Sequence, residues 1–261
     1  MQYKIYKNDW VIELQEDLKQ LTHRKAIEIS SLLRKYPLVI AKNQKLQPKD
    51  ELEIFKLFDP PYKLMKEYNI SDNIIVPGTN GLAIRVTAKK NKKGIMETFC
   101  DTKGTSWHCD NPYPHPRRIL TYLYAVQGVE DSVTLWSNTK LAFDELDPNL
   151  QKFLKKSKIK IKNFTPTSDD TKEFIPVWNE NGEIHLPIGQ IECFENLDET
   201  ESKEIIEHLK THMTKENYVY KHKWNLGDVL FANQRLGNHK RLAFDNMENR
   251  ILHKSSLGFA Y

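Results

Sequence analysis

The sequence has few cysteines and no long apolar run, and both shortages exclude whole classes of protein. Its three cysteines, Cys100, Cys109 and Cys193, are odd in number and lack C-x-x-C spacing. They therefore indicate neither a disulfide framework nor a structural zinc site. No apolar stretch approaches about 18 residues, the length of a membrane-spanning helix, and the N-terminus has no signal-peptide core. We expect a cytoplasmic protein without a membrane partner.

The chain also lacks a large excess of charge of either sign. Its 39 basic and 35 acidic residues leave a formal net charge of +4. Two lysine-rich stretches, 89–93 and 155–162, have none of the interleaved aromatic residues that a nucleic-acid-binding surface would show. In the second stretch lysine alternates with Ile159 and Ile161, which predicts a half-buried strand. We therefore expect no nucleic-acid partner.

The order of predicted elements favours one mainly β domain over residues 1–261. The chain has no linker or repeat, and 39% of its residues are hydrophobic, enough for a substantial core. Helices are predicted at 17–35, 48–58, 139–146, 148–156 and 201–213. Strands are predicted at 36–41, 82–87, 119–126, 158–164, 176–179, 183–188, 218–224, 228–233, 239–244 and 250–261. Short antiparallel strands with peripheral helices are typical of a double-stranded β-helix, or jelly roll. The long polar loop 89–105 is predicted to be a lid.

His108-Cys109-Asp110 and the distant His239 carry the strongest chemical signal. In an extended segment, side chains two residues apart share a face, so His108 and Asp110 can face one metal ion. With His239 they would form two histidines and one carboxylate, a set typical of non-haem Fe(II) oxygenases. Cys109 would point the other way, into the core. Because the motif is short, a surface hydrogen-bonded pair is the alternative interpretation of His108 and Asp110 taken alone.

Further motifs follow in a characteristic order. They are W-x-x-G-D at 224–228, N-x-R at 233–235, then His239 and Arg250. Thr134 lies on an apolar strand that precedes a predicted helix, 24 residues after Asp110. From about Tyr36 to Phe259 the chain resembles the TauD/TfdA family of 2-oxoglutarate-dependent dioxygenases.

The resemblance implies Fe(II) as the metal, 2-oxoglutarate and O2 as cosubstrates, and succinate and CO2 as products. It assigns the metal to His108, Asp110 and His239. It assigns the far carboxylate of 2-oxoglutarate to Arg250, which can form a bidentate pair, and to the hydroxyl of Thr134. An edge-strand charge and an ordinary strand former are the alternatives for these last two residues. Because Asp110 is present, hydroxylation or another oxidation is expected instead of halogenation, with no catalytic residue beyond the metal site.

The sequence says less about the substrate. Lys254 lies four residues after Arg250 and so shares its strand face, where relatives of this family commonly carry a basic residue for an anionic substrate group. A lysine is a point charge and lacks the arginine fork, which leaves a sulfonate in doubt and a carboxylate or amino acid open. A solvated lysine is the alternative. Asn111 and Tyr113, just past the metal motif, are predicted to line the pocket.

The expected partner is a small, anionic or zwitterionic organic molecule, and homo-oligomer formation is left open. Two other functions also stay open: a catalytically silent jelly-roll binding protein, and an oxygenase that acts on a macromolecule. His115, His185 and His253 have no carboxylate at metal spacing and are predicted to be structural. Trp107 and Trp224 are predicted core aromatics.

Overall fold

Thirteen short strands form the framework that positions the site. The computed structural model describes residues 1–6, 9–58, 74–89, 104–110, 112, 120–162, 174–178, 184–243 and 249–261. The strands in this part of the chain are β1 (Tyr3–Tyr6), β2 (Val11–Leu14), β3 (Leu38–Ala41), β4 (Ile84–Val86), β5 (Leu120–Gln127), β6 (Val133–Asn138), β7 (Lys158–Ile161), β8 (Ile175–Pro176), β9 (Ile191–Phe194), β10 (Val219–Lys223), β11 (Val229–Asn233), β12 (Gly237–Arg241) and β13 (Ile251–Leu257).

These strands form three sheets of unequal size. The largest has seven strands in the order β1-β2-β3-β11-β5-β13-β4, and β10-β6-β12 and β8-β7-β9 are three-stranded. β2 and β3 run parallel, whereas the other neighbours in the large sheet are antiparallel. The predicted mainly β character with peripheral helices is confirmed.

Both faces of the large sheet are covered, which explains why its central strands read as continuous apolar runs. On one face Tyr122 and Phe231 pack with the helices in one core cluster. On the other face Leu123 and Leu230 pack with Trp136 of β6, in the opposite sheet. β5 therefore sends alternate side chains to two different cores.

The helices begin at identifiable caps. They are α1 (His23–Leu33), α2 (Pro48–Lys56), α3 (Thr139–Asp144), α4 (Pro148–Lys156) and α5 (Glu199–Met213). The Thr22 side chain accepts a hydrogen bond from the backbone N–H of Lys25 at the start of α1. Asp198 and Glu201 form a reciprocal capping box at the start of α5. Among the described residues, no helix is both long and apolar enough to cross a membrane.

Several predicted boundaries differ from those observed. The helix predicted at 17–35 is divided: Asp17 caps a short 3-10 turn, Leu18–Gln20, and α1 starts only after Thr22. The predicted hairpin at 176–188 has its turn outside the described residues and contributes β8 and one isolated bridge between Trp178 and Ile184. Most of the predicted lid, 90–103, also lies outside them. β1, β2 and β9 were missed by the sequence pattern.

Candidate metal centre

A two-residue backbone bridge brings the three predicted metal ligands together. The N–H of His108 donates to the carbonyl of His239 at 2.9 Å, and the N–H of His239 donates back to the carbonyl of His108 at 2.8 Å. This antiparallel bridge lays the two imidazole rings side by side, with centroids 4.2 Å apart. Asp110 Oδ1 lies 3.9 Å from Nε2 of His239 and 4.0 Å from Nε2 of His108. One ligand atom from each residue thus falls within 4.8 Å of the others.

The two imidazoles are in the form that a metal ligand needs. Nδ1 of His108 lies 2.8 Å from the Ser106 carbonyl, so this nitrogen carries the hydrogen and Nε2 keeps its lone pair. His239 stacks on Trp136, its cross-strand neighbour, at 4.7 Å between ring centroids. Burial lowers the pKa of His239 to about 3 and also lowers the pKa of His108. Both rings are therefore neutral near pH 7, and two imidazoles with one carboxylate fit Fe(II).

A closed ring of hydrogen bonds orients Asp110. Thr121 Oγ1 donates to Asp110 Oδ2 at 3.0 Å. Gln234 Nε2 donates to Thr121 Oγ1 at 2.7 Å, and Gln234 Oε1 accepts from the backbone N–H of Asp110 at 3.1 Å. Because Oδ2 is occupied in this way, Oδ1 is the oxygen that faces the histidines. Sequence reasoning missed Thr121 and Gln234, although Gln234 is the middle residue of the N-x-R motif.

Cys109 takes no part in the ligand cluster, as expected. Its side chain is buried, and burial raises the pKa of its thiol to about 12, so it is no thiolate ligand near neutral pH. Its backbone N–H donates to Gln190 Oε1 at 2.9 Å. Two glutamine side chains, from Gln190 and Gln234, thus anchor consecutive residues of the metal motif.

The three candidate ligands open into a cavity of about 200 Å³ that is rich in positive charge. Its wall contains Thr134, Arg241, Arg250 and Lys254, with Val86, Leu123 and Leu252 as apolar surface. The three cationic side chains face a single carboxylate, Asp110, among the described lining residues. Such a cavity suits an anionic ligand. A larger open groove of about 560 Å³ lies between residues 13–19 and 42–45; among its described lining residues there is no histidine or cysteine, and none belongs to the ligand cluster.

Arg250 and Thr134, the two residues predicted to bind 2-oxoglutarate, line this cavity. Each also forms a hydrogen bond to a side chain outside the cavity lining. The Arg250 side chain is buried, and its Nε donates to Ser132 Oγ at 2.9 Å. The indole N–H of Trp224 donates to Thr134 Oγ1 at 2.9 Å. A hydroxyl that accepts from an indole still has its own hydrogen to donate. Trp224 is a core aromatic as predicted, but it also orients Thr134.

Arg241 is a cavity residue that sequence reasoning missed. It lies opposite Thr134 in the β6–β12 register and is buried. The signal was present in the sequence, because Arg241 follows His239 by two residues on one strand and therefore shares its face.

Lys254 points into the cavity and contacts the metal motif directly. Its Nζ lies 2.6 Å from Asp110 Oδ1, and the two side chains are only 15% and 12% exposed. The interpretation of Lys254 as a solvated strand-end lysine does not hold. Burial opposes ionisation of Asp110, but attraction to Lys254 and the histidines outweighs it and keeps the pKa of this carboxyl well below its usual range. Since the histidines are neutral near pH 7, Lys254 supplies the charge behind this effect there.

The remaining predicted residues divide into two groups. Asn111, Tyr113 and His115 lie outside the described residues. His185 and His253 are buried outside the ligand cluster. A ring nitrogen of His185 donates to the Pro112 carbonyl, and His253 Nδ1 lies 2.7 Å from Glu51 Oε1, which ties β13 to α2.

Comparisons with known proteins bear on the whole chain. A sequence profile of the family described as "Taurine catabolism dioxygenase TauD, TfdA family" matches residues 8–255. No curated protein sequence gives a significant match. The chain is similar in structure to a taurine dioxygenase from Burkholderia xenovorans, with a TM-score of 0.78 and 20% identity, over 99% of this chain and 89% of the other. It is also similar to AAD-2 in complex with Mn(II) and N-oxalylglycine, with a TM-score of 0.74 and 16% identity, over 100% and 98% of the two chains. The fold is the double-stranded β-helix.

Proposed function

Because the chain belongs to the TauD/TfdA family of Fe(II)- and 2-oxoglutarate-dependent dioxygenases, we propose that it oxidises a C–H bond of a small, anionic or zwitterionic organic molecule. Hydroxylation is the expected outcome, with His108, Asp110 and His239 as the iron ligands. The observation that carries this proposal is their convergence within 4.8 Å in the wall of a cationic cavity. Neutral imidazoles and an ionised carboxylate are the protonation states in which these side chains bind iron.

The protein's own contribution is to bind and orient the cosubstrate. Arg250 would pair with the far carboxylate of 2-oxoglutarate, because Ser132 fixes its Nε and so directs the rest of the guanidinium. Thr134 would donate its hydroxyl hydrogen to the same carboxylate while Trp224 holds its oxygen. When bound, Fe(II) would supply the oxidising chemistry: 2-oxoglutarate would leave as succinate and CO2, with one oxygen atom of O2 in the succinate and the other transferred to the substrate. Positioning of this kind is the usual share of a protein in cofactor chemistry.

The charge of the cavity supports an anionic substrate. 2-Oxoglutarate and Asp110 together bring three negative charges, whereas Arg241, Arg250 and Lys254 with a divalent metal bring five positive charges, so the described lining keeps a positive surplus. Lys254 would pair with the substrate, since its ammonium lines the cavity and has three hydrogens to donate. A carboxylate or amino acid suits such a point charge, and Asn111 and Tyr113 would complete the pocket. The apolar wall of Val86, Leu123 and Leu252 would contact the carbon skeleton.

An anaerobic titration of the metal-free protein with Fe(II) and 2-oxoglutarate tests the metal and cosubstrate sites. The wild-type protein should develop a visible metal-to-ligand charge-transfer band and should form succinate once O2 is admitted. His239→Ala should lose both, because two ligands cannot fix the metal geometry. His208→Ala, a surface histidine of α5, is the matched control and should behave as wild type. A folded, iron-loaded protein without the band, or a His239→Ala variant with wild-type turnover, would contradict the proposal.

A screen for faster succinate release tests the substrate class. Amino acids, small carboxylates and sulfonates are compared at equal concentration, with the rate in the absence of substrate as the baseline. Stimulation by a small carboxylate or amino acid supports the proposal. Stimulation only by a macromolecule would indicate an oxygenase that acts on macromolecules. Bound iron without any succinate formation would indicate a binding protein.

A further inference from the structure

Three side chains approach the same oxygen of Asp110. Oδ1 faces the imidazole nitrogens of His108 and His239, and it also accepts a hydrogen bond of 2.6 Å from Lys254 Nζ. The other oxygen, Oδ2, is bonded to Thr121. The ammonium therefore contacts the atom that is positioned to bind the metal, and not the spare oxygen of the carboxylate.

We propose that Lys254 stands in for the metal ion: in the metal-free protein its ammonium compensates the buried charge of Asp110, and a divalent cation must displace it from Oδ1. The inference rests on the proposed function, which makes Asp110 an iron ligand. It adds a role for Lys254 that precedes any contact with substrate.

The need for such a stand-in follows from burial. A carboxylate that is largely removed from water is costly unless it has a partner of opposite charge. Asp110 is 12% exposed, and Lys254 is a cationic side chain within hydrogen-bond distance of its metal-facing oxygen, Oδ1. Lys254 meets the need from β13, whose pairing with β5 fixes its position opposite Leu123. The metal site can thus be assembled before metal arrives.

The same contact opposes metal binding. A divalent cation at the three ligands would be repelled by an ammonium held on one of its ligand atoms, and at such short range the repulsion is large. Arg241 and Arg250 line the same cavity and add to the positive potential. Once displaced, the ammonium remains in the cavity and can pair with an anionic substrate. The arrangement predicts an order in which metal binds first and substrate second.

Replacing Lys254 by an uncharged residue of similar length should therefore have two opposite effects. In Lys254→Met the metal-free protein should melt about 5 °C lower, because a buried carboxylate has lost its partner. Its affinity for Mn(II), a divalent probe that is stable in air, should rise about tenfold, because the repulsion is gone. A residue that only contacts substrate would change neither quantity.

The experiment combines thermal melting with calorimetric titration of Mn(II) into the chelator-treated chain of residues 1–261. Lys240→Met is the matched control, because Lys240 lies on β12 between His239 and Arg241 but faces the other side of the sheet. It should leave the melting temperature unchanged and the Mn(II) dissociation constant within twofold of wild type. If Lys254→Met does not fold, Lys254→Gln keeps a neutral donor for Asp110 and should still bind Mn(II) more tightly.

The possible outcomes separate this inference from the proposed function. Tighter Mn(II) binding with a lower metal-free melting temperature supports the stand-in role. An unchanged or weaker affinity in both Lys254 variants overturns it, even where His239→Ala abolishes Mn(II) binding and so upholds the ligand set. If His239→Ala binds Mn(II) as wild type does, the ligand set itself fails and the inference fails with it.

Discussion

Removal of the Arg250 guanidinium is the sharpest test of the cosubstrate site. The Arg250 side chain is only 3% exposed, and its Nε donates to Ser132, so the side chain is held in one conformation. Truncating one partner of a buried charge pair costs about 2–5 kcal/mol. Thr134 and Arg241 remain in the cavity of Arg250→Ala, which favours the lower half of that range. At about 3 kcal/mol, the KM for 2-oxoglutarate should rise roughly 100-fold.

The assay is succinate formation at saturating Fe(II) with varied 2-oxoglutarate, together with calorimetry of Mn(II) binding. The Mn(II) affinity of Arg250→Ala should stay near wild type, because Arg250 is not a ligand. Arg250→Lys keeps the charge but loses the fork and should lie between wild type and alanine. Arg24→Ala, at a 91% exposed side chain, is the control. If Arg250→Ala raises the KM less than threefold while Arg241→Ala raises it 100-fold, the reasoning has chosen the wrong arginine.

Two further predictions concern groups behind the site. Thr134→Val should lower the unfolding free energy by about 1–3 kcal/mol, because the Trp224 indole loses its acceptor. The same substitution should raise the KM for 2-oxoglutarate. Thr134→Ser keeps the hydroxyl and should preserve both quantities. Burial lowers the pKa of His185 from 6.5 to about 3, so the unfolded chain binds the extra proton first, and stability is lost as pH falls from 6.5 towards 3. Between pH 7.5 and pH 5 the unfolding free energy should fall by about 2 kcal/mol on account of His185. Urea unfolding of His185→Gln should therefore show a fall that is smaller by this amount than in the wild type. If the variant and the wild type lose the same unfolding free energy, His185 is not the group responsible.

Local periodicity predicted that His108 and Asp110 share one face and that Arg250 and Lys254 share another, and all four side chains line one cavity. Their roles as metal, cosubstrate and substrate ligands stay predictions. The apolar run predicted as a buried strand at 119–126 is β5, Leu120–Gln127. Side chains two and four residues apart do share faces, as for Arg250 and Lys254, and the same rule would have found Arg241. The family resemblance, which depended on the order of the motifs, is confirmed by the profile match over residues 8–255. The single domain and the cytoplasmic location stay predictions, and whether the protein forms a homo-oligomer stays open.

Long-range contacts were beyond the reach of the sequence pattern. Thr121 and Gln234 are 113 residues apart, and their hydrogen bond exists only because β5 and β11 are paired. Lys254 and Asp110 are separated by 144 residues, and periodicity gives the face of a lysine but not the partner that its flexible side chain reaches. Helix starts failed for a local reason, since Asp17 was taken as the start of a helix whose cap is Thr22.

The position of the site between the two sheets links its assembly to closure of the fold. His239 and Thr134 belong to the three-stranded sheet β10-β6-β12, whereas Lys254 belongs to the seven-stranded sheet. The loop that carries Asp110 is fastened to the sheet β10-β6-β12 through the His108–His239 bridge and to the seven-stranded sheet through Thr121 of β5. A metal ion bound by this set would therefore hold the two sheets together. Any ligand that binds the folded state alone stabilises it by mass action, by about 2.7 kcal/mol at 100 times its Kd. In variants of the three metal ligands, metal affinity and the stability of the metal-loaded protein are thus expected to fall together. In Lys254 variants the stability of the metal-free protein should fall while the metal affinity rises.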